Sequence, residues 1–235
     1  IKQFDRHEHD RLTTFFYENG RQIDGTVGRI TYGSPHSGWM RHTAAHNCIV
    51  IDGESQHALR GRLITLETST ENPVAVVGND PERPFYEGVD QLRCIALLGD
   101  AYVVFDRVLA GSPRTIDRYQ YGRGKVELKF EGVEEVEGKL PDLPERGSFS
   151  GIRGGSCGRE LPIDYGNGLR MRVVSDGEMR AYRAITPGGY QARPMEVTFA
   201  RRPEAREALF LAGFAMDAQP PELRMIRNEP NDIAF

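Results

Sequence analysis

Runs of about five to nine residues, rich in β-branched and aromatic side chains and each closed by Gly, Asp, Asn or Pro, recur along nearly the whole chain. They include LTTFFYE after Arg11, GRITY at 28–32, NCIVIDG at 47–53, GRLITLE at 61–67 and PVAVVGND. Further on come QLRCIALLGDAYVVFDRVLA, GKVELKF, GLRMRVV, MRAYRAI, MEVTFARR, EALFLAGFAM and ELRMIRN. This is the rhythm of strand and turn. No window of about 12 residues keeps apolar positions at i, i+3, i+4 and i+7 behind a credible N-cap, so few or no helices are expected. Gly99-Asp100, set between two apolar runs, predicts a tight hairpin. Many strands on short connections imply an all-β chain, a layered antiparallel β-sandwich of supersandwich type that limits open edges. With 235 residues, positions 1–235 are read as one domain. The stretch 133–167, acidic at first (EGVEEVEGKLPDLPE) and then Gly/Ser-rich (GSFSGIRGGSCG), is read as an insertion or long loop.

A net charge of −4 and a pI near 5.9 supply no overall basic field, so nucleic acid and anionic membrane surfaces are not expected partners. No apolar run approaches the roughly 20 residues of a bilayer-spanning helix, and a soluble chain is expected. Ile1 to Asp10 is charged and histidine-rich rather than an apolar signal segment, and the abrupt start reads like a piece of something larger. Cys48, Cys94 and Cys157 are too few and too widely spaced for a disulfide framework or a cysteine zinc site. Cys48 and Cys94, inside apolar runs, read as small buried hydrophobes.

All six histidines, at 7, 9, 36, 42, 46 and 57, fall in the first quarter of the chain. In an extended segment His7 and His9 point to one face, with Glu8 and Asp10 on the other. Two or three imidazoles with one carboxylate are a usual zinc set. Asp24, ending ENGRQID, and His46, opening HNCIVID, could be brought alongside by antiparallel pairing. A His-x-His pair on a solvated face is equally common, so spacing alone leaves both readings open. His36, His42 and His57 read as surface or loop residues, Tyr32 and Trp39 as core or rim aromatics, and Asn47 as a hydrogen-bonded strand residue. Asp52-Gly53 reads as a turn. Asp106-Arg107 and Asp117-Arg118 read as ordinary charged contacts at strand ends.

The segment HEHDRLTTFFYENGRQIDGTVGRITYGSPHSGWMRHTAAHNCIVIDGESQ, residues 7–56, resembles the sheet region of the heparinase II/III family and its oligoalginate lyase relatives. That family carries a His-x-His-x-Asp-like stretch, a segment ending in Asp, a Tyr, a Trp and a Thr-x-x-His-Asn-Thr motif leading into Asp-Gly. The later VVFDRV fits more loosely. Cys48 stands where the family has Thr, and Asp24-Gly25-Thr26-Val27-Gly28 is looser than its Asp-x-Gly turn. The resemblance implies His9, Asp24 and His46 as zinc ligands, His7 as a catalytic or charge-neutralising histidine, and Tyr32 beside the cleft. It further implies Trp39 and Arg41 as substrate-binding residues. In the family a helical toroid precedes the layered sheets, and the resemblance implies that this chain supplies only the sheets.

The activity so implied is β-elimination on a uronic-acid polysaccharide such as alginate or a glycosaminoglycan: a base removes the C5 proton beside the carboxylate, and the C4 oxygen departs with help from an acid. A periplasmic or secreted location follows from such a polymer. The competing expectation is a non-catalytic carbohydrate-binding or structural β-sandwich module that keeps the metal as a staple. A zinc hydrolase ranks last, because no His-Glu-x-x-His or nucleophile elbow is found.

Overall fold

The computed structural model describes residues 9–18, 20–25, 27, 34–69, 71–122, 129–130, 136–137, 149–166, 168–188, 193–229 and 232–234. The first strands are short: β1 (Tyr17–Glu18), β2 (Arg21–Gln22) and β3 (Asp24–Gly25). A single-turn helix, α1 (Ser37–Arg41), and a 3₁₀ turn, Thr43–Ala45, lead into β4 (Ile49–Ile51). Then come β5 (Arg62–Glu67), β6 (Val74–Gly78), β7 (Val89–Leu98), β8 (Ala101–Gly122), β9 (Lys129–Phe130) and β10 (Val136–Glu137). Three long strands follow, β11 (Ser150–Asp164), β12 (Leu169–Gly188) and β13 (Arg193–Met216), and the chain closes with β14 (Ile226–Glu229) and β15 (Asp232–Ala234). The expected antiparallel all-β architecture is what forms: β10-β11-β12-β13-β8-β7-β6-β5 is the main order of an 11-stranded sheet, with β3 and β4 pairing β8 and β9 pairing β11.

This one sheet is folded over on itself. On β8 the even-numbered Val104 and Val108 before the bend and Ile116 after it line the same apolar core. Odd-numbered Val103 and Phe105 face a second cluster, and Tyr119 and Tyr121 a third. The side chains of Asp106 and Arg118 of this same strand lie 3.2 Å apart, which a straight strand rising about 3.3 Å per residue forbids, so the two halves of β8 belong to opposing layers with a common interior. The partners bend where β8 bends: the register of β13 shifts between Arg202 and Glu207, that of β12 between Ser175 and Arg180, and that of β11 between Ser156 and Glu160. Extra residues at such points kink a strand and strengthen its twist. The hairpin at Gly99-Asp100 forms as expected, with Leu98 opposite Ala101 and Gly99 at φ 59°. Glycine adopts that left-handed turn conformation without steric cost.

Two expectations are corrected. Residues 150–164, read as part of a loop or insertion spanning 133–167, form strand β11. Their glycines serve the strand rather than break it: Gly158 takes φ 65° at the bend, and a side chain on Gly154 would collide with the Ala181 carbonyl of β12. Positions 131–135 and 138–148 lie outside the described residues. The second correction concerns the Asp-Arg pairs, whose aspartates are buried in mid-strand on opposite faces of the sheet and not at strand ends. Asp106 is wholly buried and meets two guanidiniums, Arg93 Nε at 2.6 Å on one oxygen and Arg118 Nε at 3.2 Å on the other. Arg93 comes from β7, directly opposite Asp106, while Arg118 reaches across from the other layer. On the outer face, Asp117 takes a two-pronged grip from Arg201, both contacts at 2.8 Å. Cys48 and Cys94 are buried free thiols, as expected.

Removing one partner of a buried ion cluster strands the others without solvation, at a cost of about 3–5 kcal/mol. Asp106→Ala is expected to lose that much in denaturant unfolding. Asp164→Ala, which breaks a half-exposed pair with Arg170, should change stability by about 1 kcal/mol or less.

Candidate functional site

The histidine-bearing segments meet at one corner of the sandwich. His9 is held at three points: its N–H donates to Arg41 O at 3.1 Å, its carbonyl accepts from Thr43 Oγ1 at 2.6 Å, and its ring Nδ1 lies 2.5 Å from Gln56 O. Thr43 Oγ1 in turn accepts from Gln56 N at 2.9 Å, and Gln56 Oε1 from Arg11 N at 2.9 Å. His46 is buried, with Nε2 donating to Met40 O at 3.1 Å. A carbonyl can only accept, so His9 carries its proton on Nδ1 and His46 on Nε2. In the neutral rings the lone pair then sits on His9 Nε2 and His46 Nδ1. A carbonyl behind an imidazole is the arrangement that orients metal-ligating histidines.

His42, read from sequence as a surface or loop residue, lies in the connection between α1 and the 3₁₀ turn and belongs to this cluster. Its Nδ1 accepts from Ala44 N at 3.1 Å and caps the 3₁₀ turn, and its ring stacks on Trp39 with centroids 5.9 Å apart. Burial, with smaller contributions from the charges of His9 and His46, pushes its pKa down to about 4. Three imidazoles therefore lie within electrostatic reach of one another. Gln56, the other residue that the sequence reading passed over, carried no signal beyond its place after Asp52-Gly53.

Asp24 follows a different logic. It sits on β3 opposite Gly122 of β8, in the same lane that β4 occupies farther along, and that lane delivers Asn47 to it rather than His46. Oδ1 accepts from Phe16 N at 3.0 Å and Gln22 Nε2 at 3.3 Å, and Oδ2 from Asn47 Nδ2 at 2.9 Å. Asn47, read as a hydrogen-bonded strand residue, is the hub of the corner. Its Nδ2 also reaches the carbonyls of Thr14 and Gly25, and its Oδ1 accepts from Tyr121 N at 2.8 Å. Burial of Asp24 outweighs these hydrogen bonds and lifts its carboxyl to about 6. Among the described residues, no three of His, Cys, Asp and Glu come together as a group able to hold a metal ion. The corner thus offers imidazoles of suitable chemistry and orientation and a buried carboxylate, without a closed three-ligand set.

Of the expected substrate contacts, Arg41 ends α1 with its side chain exposed. Trp39 is corrected: it is fully buried, edge-on to Phe149 at 4.9 Å, and packs in the core cluster of Tyr119 and Phe199. A side chain enclosed on all sides has no surface to offer a sugar. His7 and Tyr32 lie outside the described residues. A cavity of about 280 Å³ lined by Gly151, Arg153, Arg183, Ala184, Ile185 and Glu196 involves none of these groups. No helix among the described residues is long and apolar enough to cross a membrane.

The family described as heparinase II/III-like, C-terminal, matches residues 2–217. No curated protein matches the chain. Among solved structures, the heparan sulfate lyase HepC from Pedobacter heparinus aligns over 96% of this chain with 15% identity and a TM-score of 0.69. A heparinase III, the BT4657 gene product with methylated lysines, aligns over 96% with 12% identity and a TM-score of 0.62. At such identities the likeness is one of fold. The chain spans 33% of the length of each of these two.

Because the Asp24 carboxyl rises from 3.8 to about 6 on folding, the folded state holds its proton more tightly between those values. Stability contributed by the neutral acid is therefore complete below about pH 4 and declines as pH rises towards 6. At about 1.4 kcal/mol for each tenfold change in proton affinity, the decline is on the order of 3 kcal/mol. Urea unfolding of chelator-treated protein from pH 4 to 7 should show it, and Asp24→Asn should flatten that interval.

Proposed function

The chain belongs to the heparinase II/III-like C-terminal family, and from that premise we propose that it is the sheet domain of a polysaccharide lyase acting by β-elimination on a uronic-acid-containing polymer. The observation that carries the reading is the braced corner: His9, His42 and His46 fixed by backbone carbonyls and amides, with the exposed Arg41 joined to it through its own carbonyl.

Elimination needs the C5 proton of a uronate made acidic, which requires positive charge or hydrogen-bond donors at its carboxylate, together with a base in reach. Arg41 offers a planar fork that matches a carboxylate. Arg11, close to His9 in the chain, is held in place instead, donating through Nε to Leu59 O at 2.5 Å and pairing with Asp10 at 3.6 Å. His42, held well below its usual range by burial, supplies neutral imidazole near neutral pH. His7 is the proposed sheet contribution to proton transfer, with Tyr32 beside the cleft. The remaining acid and base come from a companion N-terminal domain. A polymer substrate implies a protein working in the periplasm or outside the cell.

Zinc is a separate proposal, resting on donor chemistry: His9 and His46 as imidazole ligands and Asp24 as the carboxylate. Bound there, it would brace the corner and polarise neighbouring groups. No step above passes through it.

Two measurements test these readings. The two-domain protein should release unsaturated uronide from a uronate polymer, followed by its absorbance, and Arg41→Ala should raise KM more than it lowers kcat. A two-domain protein that binds the polymer without cleaving it would instead mark this chain as part of a binding module. Elemental analysis should find near-stoichiometric zinc that His9→Ala and His46→Ala lose. A folded protein without metal removes zinc and leaves the lyase reading standing.

A further inference from the structure

Of the large apolar side chains exposed among the described residues, all but Ile185 fall in three stretches: the N-terminal segment, β5 and the β7–β8 turn. Every residue of β5 is exposed, with Leu63 at 58% and Leu66 at 60%. Scattered exposed leucines need no explanation, but these continue a core. Leu63 lies opposite Val77, and Val77 opposite Arg93, whose guanidinium sits on Asp106 in the sandwich interior. Leu66 lies opposite Ala75, then Ile95, then Val104, which is fully buried. Residues opposite one another in a sheet share a face. Leu63 and Leu66 therefore stand on the core-facing side of the first layer, on strands that run beyond the layer covering the rest of it. β5 also ends the strand order, so its outer backbone groups have no strand beside them among the described residues.

We propose that this overhanging strip of β5 and β6 is the seat of the companion N-terminal domain, a placement that rests on reading the chain as one part of a two-part lyase. Two observations select that occupant. The solved chains that share this fold are about three times as long as the segment they share, so a large body of chain accompanies it there. The strip also abuts the histidine corner: Arg11 bonds Leu59 just before β5, and a side chain on Gly61 would begin 3.4 Å from Leu12 Cδ2. A domain seated on β5 and β6 would thus have its border against His9 and Arg11, where the further catalytic groups are needed. A second copy added edge to edge fits less well, because the register shift between Leu63 and Thr65 breaks the regular edge that strand addition requires.

The test is amide hydrogen exchange in this chain alone and in the two-domain protein, with Leu63→Asp/Leu66→Asp made in the latter. Both side chains are exposed, and the amides of β8 report whether the variant is folded. The expected result is exchange at 62–67 and 74–78 slowed at least about tenfold in the two-domain protein, at all concentrations, and restored by the double substitution. Equal exchange in the two proteins overturns the proposal. Slowing that grows with the concentration of this chain alone assigns the strip to a second copy and also overturns it. Slowed exchange in a protein that never cleaves a uronate polymer leaves the docking surface in place and overturns the lyase reading instead.

Discussion

Asp106 is the point on which the interior turns. A carboxylate with no access to water is tolerable only because Arg93 meets it from the neighbouring strand and Arg118 from the opposing layer. Arg93 does more than neutralise. Its Nη1 also donates to the carbonyls of Asn47, at 2.6 Å, and Leu12, which ties both arms of the histidine corner to the middle of the sandwich. The Asn47 side chain carries the connection onward to Asp24 and to β8. Through these links, the corner is anchored by charges that lie well beneath it.

That hierarchy explains which parts of the molecule were legible in the chain. The hairpin at Gly99-Asp100 was readable because turn and strands are local. Asp52-Gly53 was readable for the same reason, and it forms a turn with Asp52 at φ 52° and Gly53 at φ 72°. The Gly/Ser tract at 150–158 misled because glycine serves loops and close strand crossings alike, and only the position of β12 distinguishes them. The Asp-Arg dipeptides looked like surface charge because their partners lie 12 to 84 residues away and burial leaves no mark on local composition.

The corner was legible in its residue types and less so in its arrangement. Histidine clustering pointed to a stretch of chain in which His9 and His46 both come within electrostatic reach of His42. Pairing rules brought Asp24 and the His46-Asn47 dipeptide to the same strand, yet Asn47 is the residue that meets the carboxylate. Trp39, a core or rim aromatic by its residue type and a substrate contact by resemblance, is a core side chain, whereas His42, read with the surface or loop histidines, stacks on it.

The long strands have a further consequence. Since β8, β11, β12 and β13 each pass through both layers, no cut parallel to the sheet separates the sandwich into halves that could form in turn. The β7–β8 hairpin pairs locally, but Tyr102 must find Phe214, and Tyr121 must find Val197, across about a third to a half of the sequence before the two runs of strands join. Closing such large loops between locally paired strands makes assembly slow and cooperative. A nascent chain holds β8 for a long interval before β13 exists to pair with it, so the second edge of this strand depends on late synthesis for its cover.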